Sequence, residues 1–370
     1  MKALYLLLII LFLTKYSKEV CDTITSDIKS TQTFESQTEI KKEKFQIVNL
    51  IGIIYAIGIA IISQLGDISH FIAGKKFPNF LKKRKMDCLL LGTLIINQIF
   101  GSLVMFILTK FIKKIKIEKK KYGYKKYIAN LIINSGLLVF GSILGYFISL
   151  GFVYIFSGNQ KQTNEQLVEI AAGSFSNSNK FLNFFVVCIS APIAEEFIFR
   201  KFLIDRLAIY SKTLAIFASG IIFGIFHNNI HQFFGTMFLG WSLAYSYVET
   251  GNILIPISYH MFENSYSTVA QMLTSNNSKN NKILEKISEG MLLIRFIEAL
   301  TGIILLIVKR KKIKVTGEEN KSGDKWKLFK SYGMWIFFVE GFILFSLLYM
   351  KILFVNETPI IKNSKFFFLY

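Results

Sequence analysis

The chain has 370 residues, 52% hydrophobic and 18% charged, with a mean hydropathy of +0.44; this balance excludes an ordinary soluble domain and fits a polytopic helical membrane protein. A formal charge of +20 would suggest nucleic acid in a soluble protein. Here the lysines gather between apolar spans, as in the nine from Lys110 to Lys126, and read as membrane-flanking anchors at an anionic leaflet, so the expected partner is the lipid bilayer and no nucleic acid.

Met1 and Lys2 precede an apolar run from Ala3 to Leu13 of signal-peptide length, and no small-x-small cleavage site follows, which leaves removal of residues 1–20 open. Residues 15–44 are polar and rich in Ser and Thr, so 1–44 reads as a signal-like segment with a linker. Cys21 lacks the small apolar residues of a lipoprotein site before it. Cys21, Cys88 and Cys188 share no ligand spacing, so neither a disulfide framework nor a cysteine-built zinc site is expected.

Nine helix-length apolar spans follow, at about Phe45 to Leu65, Cys88 to Phe111, Tyr127 to Phe156, Phe181 to Ala208, Thr213 to Asn228, Phe233 to Val248, Ile253 to Leu273, Gly290 to Val308 and Gly333 to Phe354. None alternates with the period of a barrel strand. The expected fold is all-α, a polytopic transmembrane bundle of about eight to nine spans. It divides into N-terminal helices and basic loops (45–179), a four-helix core (180–275) and C-terminal helices (276–370). The polar stretch Ser157 to Lys180 has the composition for a short surface helix around Glu165 to Ala172.

Lysine and arginine asymmetry puts 110–126, 200–212 and 309–330 on the cytoplasmic side. Lys75 to Lys85, with six basic residues, would fall on the opposite side if Cys88 to Phe111 crosses once, which leaves the topology of 66–126 open.

The fourth span contains APIAEEFIFR, Ala191 to Arg200: two adjacent glutamates and an arginine in otherwise apolar text. A carboxylate near the bilayer midplane costs on the order of 3 kcal/mol, so the pair should face a protein interior and have partners. Later spans offer His227, His260 and Asn264. With a reversal near Ser211 and Lys212, Glu195 and His227 both stand about 23 Å from the turn; from a reversal near Gly251, His260 and Asn264 lie roughly 13 and 20 Å up one face. Pro192 and Pro256 shortly precede Glu195 and His260, and each invites either a kink or plain helix packing.

Glu195 and Glu196 point about 100° apart around the helix. Glu196 has Arg200 four residues on, the favourable order for an ion pair, whereas Glu195 has no partner within its own helix. A desolvated carboxylate without a fixed cation suits a general base that takes a proton from water and returns it. His227 at matching height can hold and polarise that water, and His260 and Asn264 can offer hydrogen bonds to an oxyanion. Phe223 reads as helix packing. His231 has chelating spacing from His227 but lies in the polar turn NNIHQ, and His70 reads as a solvated loop residue; Glu249 and Glu263 are candidate pore or site groups, of which Glu249 adjoins a turn and reads rather as a capping or interface charge.

The region from about Lys180 to Ser275 resembles the CPBP or Abi family of intramembrane proteases, which includes the CAAX prenyl endopeptidases. The resemblance rests on EExxxR (Glu195, Glu196, Arg200), FxxxH (Phe223, His227) and HxxxN (His260, Asn264) in that order, and on FLGWSLAYSYVETGNILIPISYH. It implies an endopeptidase in a bacterial plasma membrane, hydrolysing a peptide bond of a membrane-associated or small peptide substrate. Glu195 and His227 would activate water, His260 and Asn264 would form the oxyanion site, and Glu196 and Arg200 would support them. A divalent metal such as zinc stays open; its ligands would be Glu195, His227 and His260. Lys201 departs from the glycine common in bacterial members. The same charges would also fit an ion-coupled transporter, for which no inverted repeat is visible, or a non-proteolytic immunity or scaffold protein.

Overall fold

An apolar run of helix length has no hydrogen-bond partner in a bilayer except its own backbone, so the spans become helices. The computed structural model describes residues 45–62, 84–156, 178–274, 282–310 and 324–354, with the single positions Lys18, Leu65 and Lys75. The signal-like segment, Cys21, His70, the Glu165 to Ala172 stretch and most of Lys75 to Lys85 lie outside the described residues.

In chain order the long helices are α1 (Phe45–Ile62), α2 (Met86–Thr109), α3 (Tyr124–Phe156), α4 (Lys180–Leu207), α5 (Lys212–Phe226), α6 (Ile230–Thr250), α7 (Leu254–Thr274), α8 (Lys282–Lys309) and α9 (Tyr332–Phe354). A short 3-10 segment, Asp324–Lys330, precedes α9, and no strand occurs among the described residues. The fold is an all-α membrane bundle. Five helices (α1, α2, α3, α4 and α8) are long and apolar enough to cross a membrane; α5 and α9, over Lys212–Phe226 and Tyr332–Ser346, are shorter apolar helices.

Helix α6 packs between α3 and α5, and α8 lies along α3. There Gly136 and Gly302 let two backbones approach closely: a Cβ on Gly136 would stand 2.9 Å from the carbonyl oxygen of Ala299. Helix α4 sits against α2, α5 and α7. Helix α1 is largely buried, and its Tyr55 hydroxyl donates to the Ile198 carbonyl on α4 at 2.6 Å.

At one end of the bundle, residues 112–123 form an extended strap. Ile112 and Ile117 are buried in the core while Lys113, Lys114, Lys116 and Lys119 face outward. The Ile115 N–H donates to Asp205 O at 2.8 Å, the Lys120 N–H to Thr250 O at 2.9 Å, and Arg206 Nε to Thr109 O at 2.7 Å. Lys327 stands over the Tyr210 ring at 5.7 Å. The basic stretches 110–126 and 200–212 and the described part of 309–330 therefore share one end, as charge asymmetry anticipates.

Candidate active site

The site is built on an irregular helix. In α4 the α-helical segment Ala191–Glu196 is flanked by wide π-type turns at Phe185–Ser190 and Phe197–Phe202, a geometry that recurs at functional sites. Pro192 sits in the first turn of that segment, where its missing N–H falls beside the first wide turn. Carbonyls there are taken up from outside: Val186 O accepts from Gln98 Nε2 at 3.2 Å and Val187 O from Asn264 Nδ2 at 2.9 Å. Pro256 lies in the first turn of α7, where an N–H needs no helical partner.

Glu196 and Arg200 are both fully buried, with Arg200 Nε 2.8 Å from Glu196 Oε2 and Nη2 donating to Oε1 at 3.1 Å. The i,i+4 pair is as expected, but its surroundings are richer. Arg200 Nη1 donates to Ser219 Oγ at 2.8 Å, and the guanidinium lies 5.0 Å from the centre of the Phe223 ring. From α7, His260 Nδ1 approaches Glu196 Oε1 at 3.0 Å. A carboxylate only accepts, so Nδ1 carries the hydrogen and Nε2 is turned toward Glu195, 3.8 Å from its Oε2.

Glu195 differs from its neighbour. Its Oε2 is shielded from solvent and meets no hydrogen-bond donor among the described residues. It lines a cavity of about 780 Å³ together with His227, Phe223, His260 and Asn264. All four sequence-expected reactive groups thus reach one space, with an apolar wall from α2 and α3 that includes Leu90, Val139, Ile143 and Phe147.

His227 is placed by its turn. It follows the last residue of α5; Asn228 then takes the left-handed conformation (φ 47°) that asparagine tolerates, and Asn229 caps α6 by accepting the His231 N–H at 2.9 Å. The Nδ1 of His227 bonds the Phe223 carbonyl at 2.9 Å, which makes Nδ1 the donor and leaves the Nε2 lone pair for the cavity. Phe223 packs edge-on to both His227 and His260, with centroids 4.8 and 5.6 Å apart, and so spaces the two imidazoles.

The remaining candidates fall outside this group. His231 lines the cavity against Tyr146. Glu249 pairs with Lys126 beside the strap. Glu263 is paired with Arg295 of α8 and accepts from Ser135 Oγ at 2.8 Å. Lys201 bonds Asp205 at 2.8 Å and Tyr247 at 3.0 Å, joining α4 to α6 away from the cavity. No three His, Cys, Asp or Glu side chains are grouped to hold a metal ion among the described residues. Each imidazole holds Nδ1 on a carbonyl or carboxylate and keeps Nε2 free, as a zinc-ligating histidine does, so the donor types of Glu195, His227 and His260 suit zinc while their present spacing does not group them as three ligands.

Two groups escaped the sequence reading. Gln98 and Arg295 both line the cavity, and each is a polar residue inside an apolar span, the signal that could have found them.

Residues 177–266 match the family described as type II CAAX prenyl endopeptidase Rce1-like. The chain is 31% identical over 148 residues to "Putative membrane peptidase YdiL" of Bacillus subtilis, covering 37% of this chain and 58% of that protein, so it spans little more than half the length of that relative. It is 27% identical over 208 residues to "Membrane-embedded CAAX protease MroQ" of Staphylococcus aureus, covering 53% of this chain and 77% of that protein. No solved structure matches. The three motifs and the cavity they line fall within or beside the matched segment, in a multi-pass membrane protein. Over residues 177–266, then, the chain is similar to the Rce1-like type II CAAX prenyl endopeptidases, as its three motifs anticipate.

Proposed function

We propose that the protein is an intramembrane endopeptidase that cleaves a peptide or membrane-protein substrate with water activated by Glu195, in a bacterial plasma membrane. The observation that carries this reading is the buried, donorless Oε2 of Glu195 in a cavity it shares with His227, His260 and Asn264. In the reaction, water donates to Glu195 and to the lone pair of His227 Nε2. Glu195 takes its proton as the oxygen attacks the scissile carbonyl. The oxyanion is met by the second Nδ2 hydrogen of Asn264 and by His260, whose ring is held by Glu196 through Nδ1 and which donates from Nε2 when that nitrogen also carries a hydrogen. Glu195 then returns the proton to the leaving amine.

The test compares purified wild type with Glu195→Gln on a candidate peptide, with release of the amine product as readout. Turnover should fall by roughly 10² to 10⁴ in the variant, and equal turnover refutes the reading. In cells, a protective phenotype that survives loss of both Glu195 and His227 would instead favour the immunity or scaffold role.

A further inference from the structure

Beyond the reactive groups, the acidic side chains around the cavity and strap have partners: Glu263 has Arg295, Glu249 has Lys126, and Asp205 has Lys201 and Tyr247. One polar side chain in the cavity wall is only half satisfied. Gln98 of α2, outside the segment matched to the family, is 6% exposed and lines the cavity. Its Nε2 donates to Val186 O, which fixes the orientation of the amide, because a carbonyl can only accept. Its Oε1 is left buried with no donor among the described residues.

Asn264 is arranged in the same way from the other side of α4, with Nδ2 on the next carbonyl, Val187 O. The wide turn of α4 therefore grips two carboxamides, one from α2 and one from α7, through consecutive carbonyls. A buried acceptor is costly to leave bare, and so is the N–H of an extended peptide drawn out of water into an apolar cleft. Each can supply what the other lacks.

We infer that Gln98 is a substrate-binding residue whose Oε1 accepts a backbone N–H of the peptide in the cavity. This rests on the endopeptidase reading for the class of ligand. It makes α2 part of the substrate cleft and gives the cavity a main-chain contact that does not depend on side-chain identity.

The test uses the full-length protein in nanodiscs and a dye-labelled ten-residue Leu/Ala peptide with lysine ends, made also as a set in which each amide N–H in turn is replaced by an ester oxygen. Dissociation constants are read by fluorescence anisotropy and cleavage is followed in parallel. One ester position should weaken binding to wild type by roughly three- to tenfold, the value of one hydrogen bond. Gln98→Met should weaken the all-amide peptide by a similar factor, and the two losses should not add. Gln98→Glu, which keeps an acceptor oxygen, should retain the sensitivity to the ester. Additive losses, as expected where a resident water meets Oε1, would overturn the inference, as would wild-type affinity in Gln98→Met, loss of ester sensitivity in Gln98→Glu, or no binding of the all-amide peptide. Cleavage separates the two readings: equal cleavage by Glu195→Gln refutes the hydrolase while coupled binding at Gln98 stands, and cleavage lost in Glu195→Gln beside uncoupled binding does the reverse.

Discussion

His260 bonds Glu196 rather than Glu195: its Nδ1 stands 3.0 Å from Glu196 Oε1, while its Nε2 faces Glu195 Oε2 at 3.8 Å. The adjacent glutamates are thereby divided between two tasks. Glu196 is bound on one side by Arg200 and on the other by His260, and Glu195 is left to the cavity. Replacing each should have opposite consequences. Glu196→Ala leaves the guanidinium of Arg200 buried without its counter-ion and should cost about 3–5 kcal/mol of stability. Glu195→Gln removes no pairing of that kind and should leave the unfolding midpoint close to wild type, while turnover falls by roughly 10² to 10⁴. Scanning fluorimetry in detergent beside a peptide-cleavage assay checks both.

Activity should persist in a strong chelator such as EDTA or phenanthroline. The described residues supply no group of three His, Cys, Asp or Glu side chains spaced to hold an ion. The check is turnover before and after prolonged chelation, with metal analysis of the purified protein. Loss of activity restored by zinc would show that the site rearranges around an ion.

The pairing of Arg295 with Glu263 should behave as a buried ion pair. Arg295→Met alone should destabilise by about 3 kcal/mol or more, because Glu263 and Ser135 lose their shared partner in the interior. Adding Glu263→Leu should recover much of that loss. A double-mutant cycle on thermal or denaturant unfolding measures the coupling.

Lys201→Gly should lower stability by roughly 1–2 kcal/mol, from a lost charge-assisted bond to buried Asp205 and a glycine placed within a helix. Tyr247 keeps its 2.7 Å bond to Asp205, so the α4–α6 contact survives in weakened form. Cleavage should be unaffected, since Lys201 does not line the cavity. Comparison of melting midpoints and turnover in the single variant decides this.

Much of this arrangement was legible in the sequence, for a physical reason. A membrane helix is a long apolar run, and residues counted from a turn at a constant rise stand at calculable heights, which is how Glu195 and His227 were matched. The Glu196–Arg200 pair was legible because i,i+4 neighbours meet on any helix. What spacing cannot supply is rotation. Whether His260 turns toward Glu195 or Glu196 depends on how α7 is seated against α4, and the bond to Glu196 follows from that seating. Nor does local text mark the wide turns of α4, where Gln98 and Asn264 donate to carbonyls 88 and 77 residues away in sequence. Pro256, which spacing left between a bend and plain packing, falls in the first turn of its helix once the start of α7 is known.

A π-type turn amounts to one extra residue threaded into an α-helix, so everything on its far side is rotated by about 100° relative to a regular helix. Deleting a single residue between Phe185 and Ser190 would let that part of α4 relax into a regular α-helix with Glu195 unmoved, yet it would swing the Phe181 to Phe184 face, including cavity-lining Asn183, round to a different neighbour. Glu195 and the Asn183 part of the cavity wall are in this sense indexed separately along one helix, and a one-codon change can reset one without touching the other.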